Sequence, residues 1–130
     1  MFEPDRRRDP DFAADHWGAV QRSFAEKSGV ILMAEDDGQP VGWAFAYEIT
    51  AEVFVVEAER RLGFLAELFV RPEARGKGHG RALIEGCEDW SRQRGHKLLT
   101  VGVLAKNPSA IRAYEGAGYA PYWITMRRYL

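Results

Sequence analysis

Apolar side chains recur every three to four residues in three stretches of the chain, which predicts three helices. The first begins at Asp9-Pro10, an N-cap followed by proline, and ends at Ser28-Gly29. The second follows a glycine-rich stretch and ends near Gly95. The third extends from Asn107-Pro108 to Gly118. These boundaries leave three intervening or terminal stretches with a different pattern.

Runs rich in aliphatic and aromatic residues occupy those stretches and predict strands. Residues 30–34 and 41–49 flank turn-forming residues and predict a β-hairpin, and residues 62–70 predict a third strand. Residues 98–104 are continuously apolar, so we expect a strand buried on both faces. Residues 119–130 are rich in β-formers and are expected to supply the last strands. The order predicts a mixed α/β sheet domain.

The composition is that of an ordinary globular domain. The chain has 130 residues, of which 46% are hydrophobic and 28% charged. This predicts a single domain over residues 1–130, with residues 1–9 irregular. Eighteen Lys and Arg against nineteen Asp and Glu give a net charge of -1, so we expect no nucleic-acid partner. The chain shows neither a signal peptide nor an apolar run long enough to span a membrane, so we expect a cytoplasmic protein with no membrane partner.

The glycine-rich stretch before the second helix carries the strongest chemical signal. Gly76, Gly78 and Gly80 alternate with other residues there. Glycine permits positive φ and close backbone approach, and the N–H groups at a helix N-terminus bind anions. The stretch therefore predicts a phosphate or pyrophosphate site. It is not a P-loop, because Gly78 follows Lys77 where Ser or Thr is needed, and Arg81 occupies the third glycine position of a dinucleotide fingerprint.

At this point the sequence resembles the GNAT superfamily, the N-acetyltransferases that use acetyl-CoA. The family motif is Arg or Gln, two residues, Gly, one residue, and Gly or Ala. It corresponds here to Arg75-Gly76-Lys77-Gly78-His79-Gly80, preceded by Leu68-Phe69-Val70-Arg71-Pro72. A second block, from Asn107 through Tyr114-Glu115 to Gly118-Tyr119, resembles the family's downstream pattern. The blocks occur in the family's order, and the resemblance covers residues 30–130.

The resemblance implies a GNAT-like α/β fold with a mixed, mostly antiparallel central sheet flanked by helices. In this fold two strands splay apart beside Val70 and open a slot for acetyl-CoA. The resemblance also implies that the backbone of Leu68 and Val70 binds the pantetheine arm and that the N–H groups of residues 76–80 hold the pyrophosphate. Asn107 would contact the arm of the cofactor. The residues implied to bind the cofactor are Leu68, Phe69, Val70, Arg75, Gly76, Lys77, Gly78, His79, Gly80, Asn107 and Tyr114.

Two residues are implied to be catalytic, Tyr114 and Glu67. By the resemblance, Tyr114 lies near the sulfur as general acid, and a tyrosine with a pKa near its usual value of about 10 stays protonated at pH 7. Glu67 lies beside the pantetheine-binding segment and is the candidate base that takes the proton of the amine. Alternatively, Tyr114 is a core residue, and Glu67 faces solvent or pairs with an arginine.

The other chemistry-bearing residues favour structural roles. The histidines His16, His79 and His96 have no metal-ligand spacing, so we expect no metal. Cys87 falls on the apolar side of its helix and is interpreted as a buried thiol, not an acyl-cysteine nucleophile. Candidates for lining an acceptor pocket, with core packing as the alternative, are Trp43, Phe45, Tyr47, Tyr122 and Trp123.

The resulting hypothesis is transfer of an acetyl group from acetyl-CoA to a primary amine, by direct attack in a ternary complex. We expect a small-molecule acceptor in preference to a protein. The alternative is a non-catalytic CoA-binding or regulatory module on the same fold; the net charge disfavours nucleic-acid binding through Arg6-Arg7-Arg8. Family members usually begin with a strand that residues 1–8 do not predict. Without that strand the sheet would have an exposed edge, and such an edge would favour a homodimer.

Overall fold

The computed structural model describes residues 11, 14–15, 17, 28–52 and 55–130. These residues divide into two compact units, the first ending at Gly102 and the second comprising residues 103–130. Most of the first predicted helix lies outside the described residues, although Ala14, Asp15 and Trp17 are helical. The expectations for residues 1–9 also lie outside them.

Four strands form a mixed sheet in the first unit. They are β1 (Gly29–Asp36), β2 (Gln39–Thr50), β3 (Arg61–Val70) and β4 (Leu99–Val101). They lie in the order β1-β2-β3-β4; the first three pair antiparallel, whereas β4 is parallel to β3. A parallel neighbour requires a crossover, which helix α2 (His79–Gln93) provides. The predicted mixed, mostly antiparallel sheet is confirmed.

The connections between the antiparallel strands are short. At the β1–β2 turn, Asp37 and Gly38 have φ of 50° and 76°, the left-handed conformations that tight hairpins require. The β2–β3 connection contains one helical turn, α1 (Glu57–Arg60). The hairpin predicted from the turn residues is therefore confirmed.

Helix α2 packs its apolar side on one face of the sheet. Leu83, Ile84 and Cys87 are buried, as their spacing predicts. The helix approaches the sheet closely at Gly86, where an added Cβ would stand 2.7 Å from Leu32 Cδ1. Leu32 therefore marks the sheet face that is turned toward α2.

A hydrogen-bonded chain ties the end of α2 to β2. His96 is buried; its Nδ1 lies 2.8 Å from Ser91 Oγ and its Nε2 lies 2.7 Å from Glu48 Oε1. Because a carboxylate only accepts, Nε2–H donates to Glu48, and in the neutral imidazole Nδ1 accepts from the Ser91 hydroxyl. Arg61 Nη2 donates to the same Glu48 oxygen at 2.9 Å. Hydrogen bonds from Arg61 and then His96 hold the pKa of Glu48 below its ordinary value.

The second unit contains helix α3 (Pro108–Gly116). Asn107 caps its start, with Oδ1 accepting from the Ala110 N–H at 3.1 Å. Gly118, with φ of 97°, follows its end. The helix predicted between Asn107 and Gly118 is confirmed at both ends.

Two strand predictions are wrong. The strand expected over residues 98–104 covers only Leu99–Val101, and Leu98, Val103 and Leu104 are 43%, 40% and 37% exposed. Residues 119–130 contain no strand. Both errors have the same physical reason. β propensity reflects how well a side chain packs against paired neighbouring strands, so β-forming residues without such neighbours do not form a strand. β4 is the last strand of the described sheet and pairs on one side only.

Candidate active site

The glycine-rich stretch forms a tight loop between β3 and α2. A 3-10 turn over Pro72–Ala74 leads into it. Gly76 and Gly78 have φ of 78° and 91°, and a Cβ added to either would meet nothing within 4 Å. These two glycines are therefore required by backbone conformation and not by space. Gly80 is already part of α2.

The loop and the end of β3 line a cleft of about 240 Å³. Its wall includes the first turn of α2, where backbone N–H groups have no acceptor within the helix. The N-cap residue Gly78 has no side chain to satisfy them. With the helix dipole, these groups are suited to binding an anion. The residues that line the cleft are Val70, Ala74, Arg75, Gly76, Gly78, His79, Gly80 and Arg81.

The lining and the predicted cofactor-binding set overlap only in part, and Ala74 lines the cleft without having been predicted. Lys77, predicted to bind the cofactor, is exposed and is not a lining residue. Arg81 does line the cleft, although sequence reasoning used it only to exclude a dinucleotide motif. Its position within the first turn of α2 was the signal that could have found it.

β3 and β4 diverge before β3 ends. Their pairing stops at Leu65 and Val101, whereas β3 continues to Val70. Beyond Leu65, the edge of β3 that faces away from β2 has no strand partner among the described residues. This divergence corresponds to the splayed strand pair that the family resemblance implies.

Backbone groups of two β3 residues point to that unpaired edge. The Arg71 N–H donates to the Val41 carbonyl of β2 at 2.7 Å. Because hydrogen bonding alternates along an antiparallel ladder, Val70 and Leu68 direct their N–H and C=O groups away from β2. Phe69, between them, directs its backbone groups into the pairing with β2. The structure thus offers Leu68 and Val70 for binding an extended ligand, but not the Phe69 backbone.

One of these groups already has a partner. Arg75 Nε donates to the Val70 carbonyl at 2.9 Å. This bond fixes the start of the glycine-rich loop to the end of β3. Sequence reasoning placed Arg75 in the binding motif but did not find this bond, because no local pattern specifies it.

His79, the first residue of α2, is mostly buried, with 19% of its side chain exposed. Its Nε2 lies 3.5 Å from Asp36 Oδ2 at the end of β1, long for a hydrogen bond, and forms no hydrogen bond within the described part of the chain. The imidazole forms part of the cleft wall. This position is compatible with the predicted binding role.

Glu67 lies on the sheet face opposite α2. Leu32, which faces α2, pairs with Ala44, and Ala44 pairs with Leu68. Paired residues share a face and neighbours alternate, so Leu68 points toward α2 whereas Glu67 and Phe69 point away from it. Glu67 is half-buried. The carboxylate thus emerges beside the unpaired β3 edge on the face that α2 does not cover.

The predicted residues Asn107 and Tyr114 lie in the second unit. Asn107 uses Oδ1 to cap α3, and its amide Nδ2 takes no part in that bond. Tyr114 is half-buried, with its ring 5.9 Å from that of Tyr119 at an angle of 71°. The structure therefore gathers Leu68, Val70 and the loop within the first unit. In the second unit, Asn107 lies at the N-cap of α3 and Tyr114 within that helix.

The aromatic candidates for the acceptor pocket separate by burial. Phe45 is 2% exposed and belongs to the core. Trp43 and Tyr47 are half-buried on β2. Tyr122 and Trp123, in the second unit, are 81% and 73% exposed. Among the three on β2, Trp43 lies closest along the strand to the end where the loop begins.

The Cys87 thiol is unsuited to nucleophilic chemistry. It is completely buried, and desolvation, with a smaller contribution from the charge of Glu88, raises its pKa to about 11. Among the described residues there is no group of three or more His, Cys, Asp or Glu placed to hold a metal ion. No helix in the described ranges combines the length and apolarity that crossing a membrane requires.

Comparison with known proteins adds independent findings. Residues 2–119 match the family described as Acetyltransferase (GNAT) family. An uncharacterized N-acetyltransferase of Bacillus subtilis strain 168 is 37% identical over 110 residues, covering 82% of this chain and 71% of that protein. An aminoglycoside N(6')-acetyltransferase type 1 of Stenotrophomonas maltophilia is 29% identical over 113 residues, covering 85% of this chain and 71% of that protein.

Solved structures share the fold. A protein named as an acetyl transferase of Pyrococcus furiosus has a TM-score of 0.82 at 22% identity, covering 99% of this chain and 84% of that chain. An aminoglycoside N-acetyltransferase solved in complex with CoA has a TM-score of 0.67 at 20% identity, covering 95% of this chain and 98% of that chain.

Proposed function

The chain belongs to the GNAT acetyltransferase family, and on that premise we propose that it transfers the acetyl group of acetyl-CoA to a primary amine, by direct attack in a ternary complex. One observation carries the proposal: the unpaired edge of β3 leads directly into a left-handed glycine loop at the start of α2. A strand edge binds an extended chain through its amides, and a helix N-terminus binds phosphate. Acetyl-CoA joins an amide-containing extended arm to a pyrophosphate, so it has both features at once.

The proposed cofactor contacts follow from this arrangement. Leu68 and Val70 bind the arm through backbone groups on the unpaired edge. Gly76 and Gly78 shape the loop that presents N–H groups to the pyrophosphate. Arg81 lines the same cleft, and its guanidinium Nε lies 3.5 Å from Glu85 Oε1. A relative of the same fold solved with CoA supports this assignment.

Attack on a thioester requires a neutral amine. An alkyl ammonium with an ordinary pKa of about 10.4 costs about 4.6 kcal/mol to deprotonate at pH 7. We propose that Glu67 accepts this proton, directly or through one water. Two observations support this role: Glu67 adjoins Leu68 on β3, and its half-buried side chain lies on the sheet face opposite α2.

The departing thiolate needs a proton donor. A thiol has an ordinary pKa of about 8.5, so an acid that stays protonated at pH 7 assists its departure. We propose Tyr114 for this role, on the strength of its place in the downstream motif block and its half-buried hydroxyphenyl ring. The acceptor is proposed to be a small molecule, which the aminoglycoside-acetylating relative supports. A homodimer and a cytoplasmic location stay predictions.

Turnover tests the function directly. Purified protein is incubated with acetyl-CoA and a panel of primary amines, and CoA thiol release and the acetylated product are both measured. Amine-dependent thiol release matched by product is the expected result. If acetyl-CoA binds but no amine in the panel is acetylated, the chain is instead a CoA-binding module without catalysis.

A further inference from the structure

The sheet face opposite α2 carries a row of apolar side chains that are exposed or half-buried. Met33 of β1 pairs with Trp43 of β2, and Trp43 pairs with Phe69 of β3, so the three lie side by side across the strands. Met33 is 58% exposed and Phe69 is 44% exposed. Trp17, which is 46% exposed, extends the row, with its ring 6.0 Å from that of Trp43 at 79°. These four residues are called the apolar row below.

A row of this kind calls for an explanation. Single exposed apolar residues are normal, but a contiguous group marks a binding surface. The same face also carries buried Phe45, which pairs with Glu67, so part of the core lies on this side of the sheet as well. Met33 and Phe69, by contrast, remain exposed there. Trp43, between them, is half-buried.

The apolar row ends beside the proposed catalytic carboxylate. Glu67 precedes Phe69 by two residues on β3, so the two side chains leave the same face roughly 7 Å apart. The unpaired edge formed by Leu68 and Val70, where the acyl group is to be presented, adjoins both. A carboxylate, an apolar surface and the cofactor edge therefore converge at one end of β3.

We propose that the apolar row binds the body of the acceptor and that the acceptor is a primary amine carried on a flat apolar group, such as an arylalkylamine. The inference rests on the proposed function. Charge complementarity orients the ligand, because the ammonium pairs with Glu67 while the apolar group covers Trp43 and Phe69. The structure thereby assigns Trp43 and Phe69 as specificity-determining residues.

Two amines that differ only at the far end test this. Ethanolamine and 2-phenylethylamine share the aminoethyl group but carry a hydroxyl or a phenyl ring. We expect kcat/KM to be at least about tenfold higher for 2-phenylethylamine than for ethanolamine. Trp43→Ala and Phe69→Ala should each lower kcat/KM for 2-phenylethylamine about tenfold through a higher KM, as expected from losing one aromatic contact of about 1.4 kcal/mol. Activity with ethanolamine should change less than about threefold. Trp43→Phe, which keeps a ring, should retain most of the preference.

Val56→Ala is the matched control. Val56 is 65% exposed and lies in the β2–β3 connection, at the opposite end of these strands from Phe69. This substitution should change kcat/KM for neither amine. Equal losses for both amines in Trp43→Ala and Phe69→Ala would overturn the inference, as would a wild-type preference for spermidine or kanamycin over 2-phenylethylamine.

Calorimetric titration of each amine into the CoA-saturated protein separates this inference from the proposed function. If no amine is acetylated yet 2-phenylethylamine binds and Trp43→Ala abolishes that binding, the function fails and the assignment of the apolar row stands. If amines are acetylated but binding is independent of Trp43 and Phe69, the function stands and the assignment fails.

Discussion

A single methyl group at Gly63 is expected to destabilise the junction of β3, β4 and α2. Gly63 pairs with Leu99 at the start of the parallel ladder. An added Cβ would stand 2.5 Å from Ser91 Oγ and 2.9 Å from Leu99 Cδ1, both closer than real contacts allow. Ser91 Oγ cannot simply rotate away, because it is bonded to the Nδ1 of buried His96 at 2.8 Å. Gly63→Ala must therefore displace the end of α2, β4, or both.

The cost can be worked from these contacts. Overpacking a well-packed interior costs about 1–3 kcal/mol, and loss of the buried Ser91–His96 hydrogen bond adds about 1 kcal/mol. We expect the free energy of unfolding to fall by about 2–4 kcal/mol for Gly63→Ala. In a domain of this size that lowers Tm by roughly 7–15 °C.

Urea denaturation followed by circular dichroism measures this loss. Gly102→Ala is the matched control, because its added Cβ would meet only Phe64 Cζ, at 3.9 Å, and stability should change by less than about 1 kcal/mol. Adding Ser91→Ala to Gly63→Ala removes the clashing oxygen, so the double variant should be more stable than the sum of the single effects predicts. Equal costs at Gly63 and Gly102, or strict additivity with Ser91→Ala, would refute the packing argument.

Four further predictions concern the cofactor, the catalytic groups and pH. Acetyl-CoA at millimolar concentration should raise Tm, and Gly78→Asp should abolish that shift while Gly95→Asp, at a left-handed glycine with equally open space at the other end of α2, keeps it. Tyr114→Phe should lower kcat by roughly 10–1,000-fold with little change in CoA affinity, and full activity would return Tyr114 to a packing role. Glu67→Gln should lower kcat/KM at pH 7 by at least about tenfold, with a loss that shrinks toward pH 10; a loss constant from pH 6 to pH 10 would exclude it as the base. Because the folded pKa of Glu48 is lowered, its stabilisation is present above the unfolded value of about 4.5 and is lost as pH falls further, so Glu48→Gln should flatten stability against pH in that acid range only.

Local signals made most of the fold predictable. The hairpin follows from Asp37 and Gly38. The glycines of the loop predicted positive φ angles, which the structure has at Gly76 and Gly78. Helix α3 was predicted at both ends because Asn107 and Gly118 act on their immediate neighbours. Each of these features is determined by a few adjacent residues, which is why a single sequence suffices.

Features that depend on distant partners were not predictable. Glu48 and His96 are 48 positions apart and meet only once β2 and α2 are packed. The length of β4 depends on how far β3 remains beside it, so an apolar run over residues 98–104 overstated the strand. The face on which Glu67 lies depends on the register between β2 and β3, which shifts at Phe45 and Ala46. The candidate base could be named from sequence, but its side of the sheet could not.

The bond between Arg75 and Val70 gives a physical reason for the first position of the loop motif, which accepts Arg or Gln. Arg75 Nε donates to a carbonyl that has no acceptor role in the β2–β3 ladder, because Val70 points away from β2. A glutamine amide has an N–H donor that can serve the same carbonyl, whereas an aliphatic side chain would leave it unpaired. The bond places the loop N–H groups at a fixed distance from the open edge at Leu68. The spacing between the strand edge and the loop is therefore fixed before a ligand binds to both. This reduces the entropy that ordering the protein costs on binding. We therefore expect the first motif residue to act less as a phosphate ligand than as a link between the strand edge and the loop.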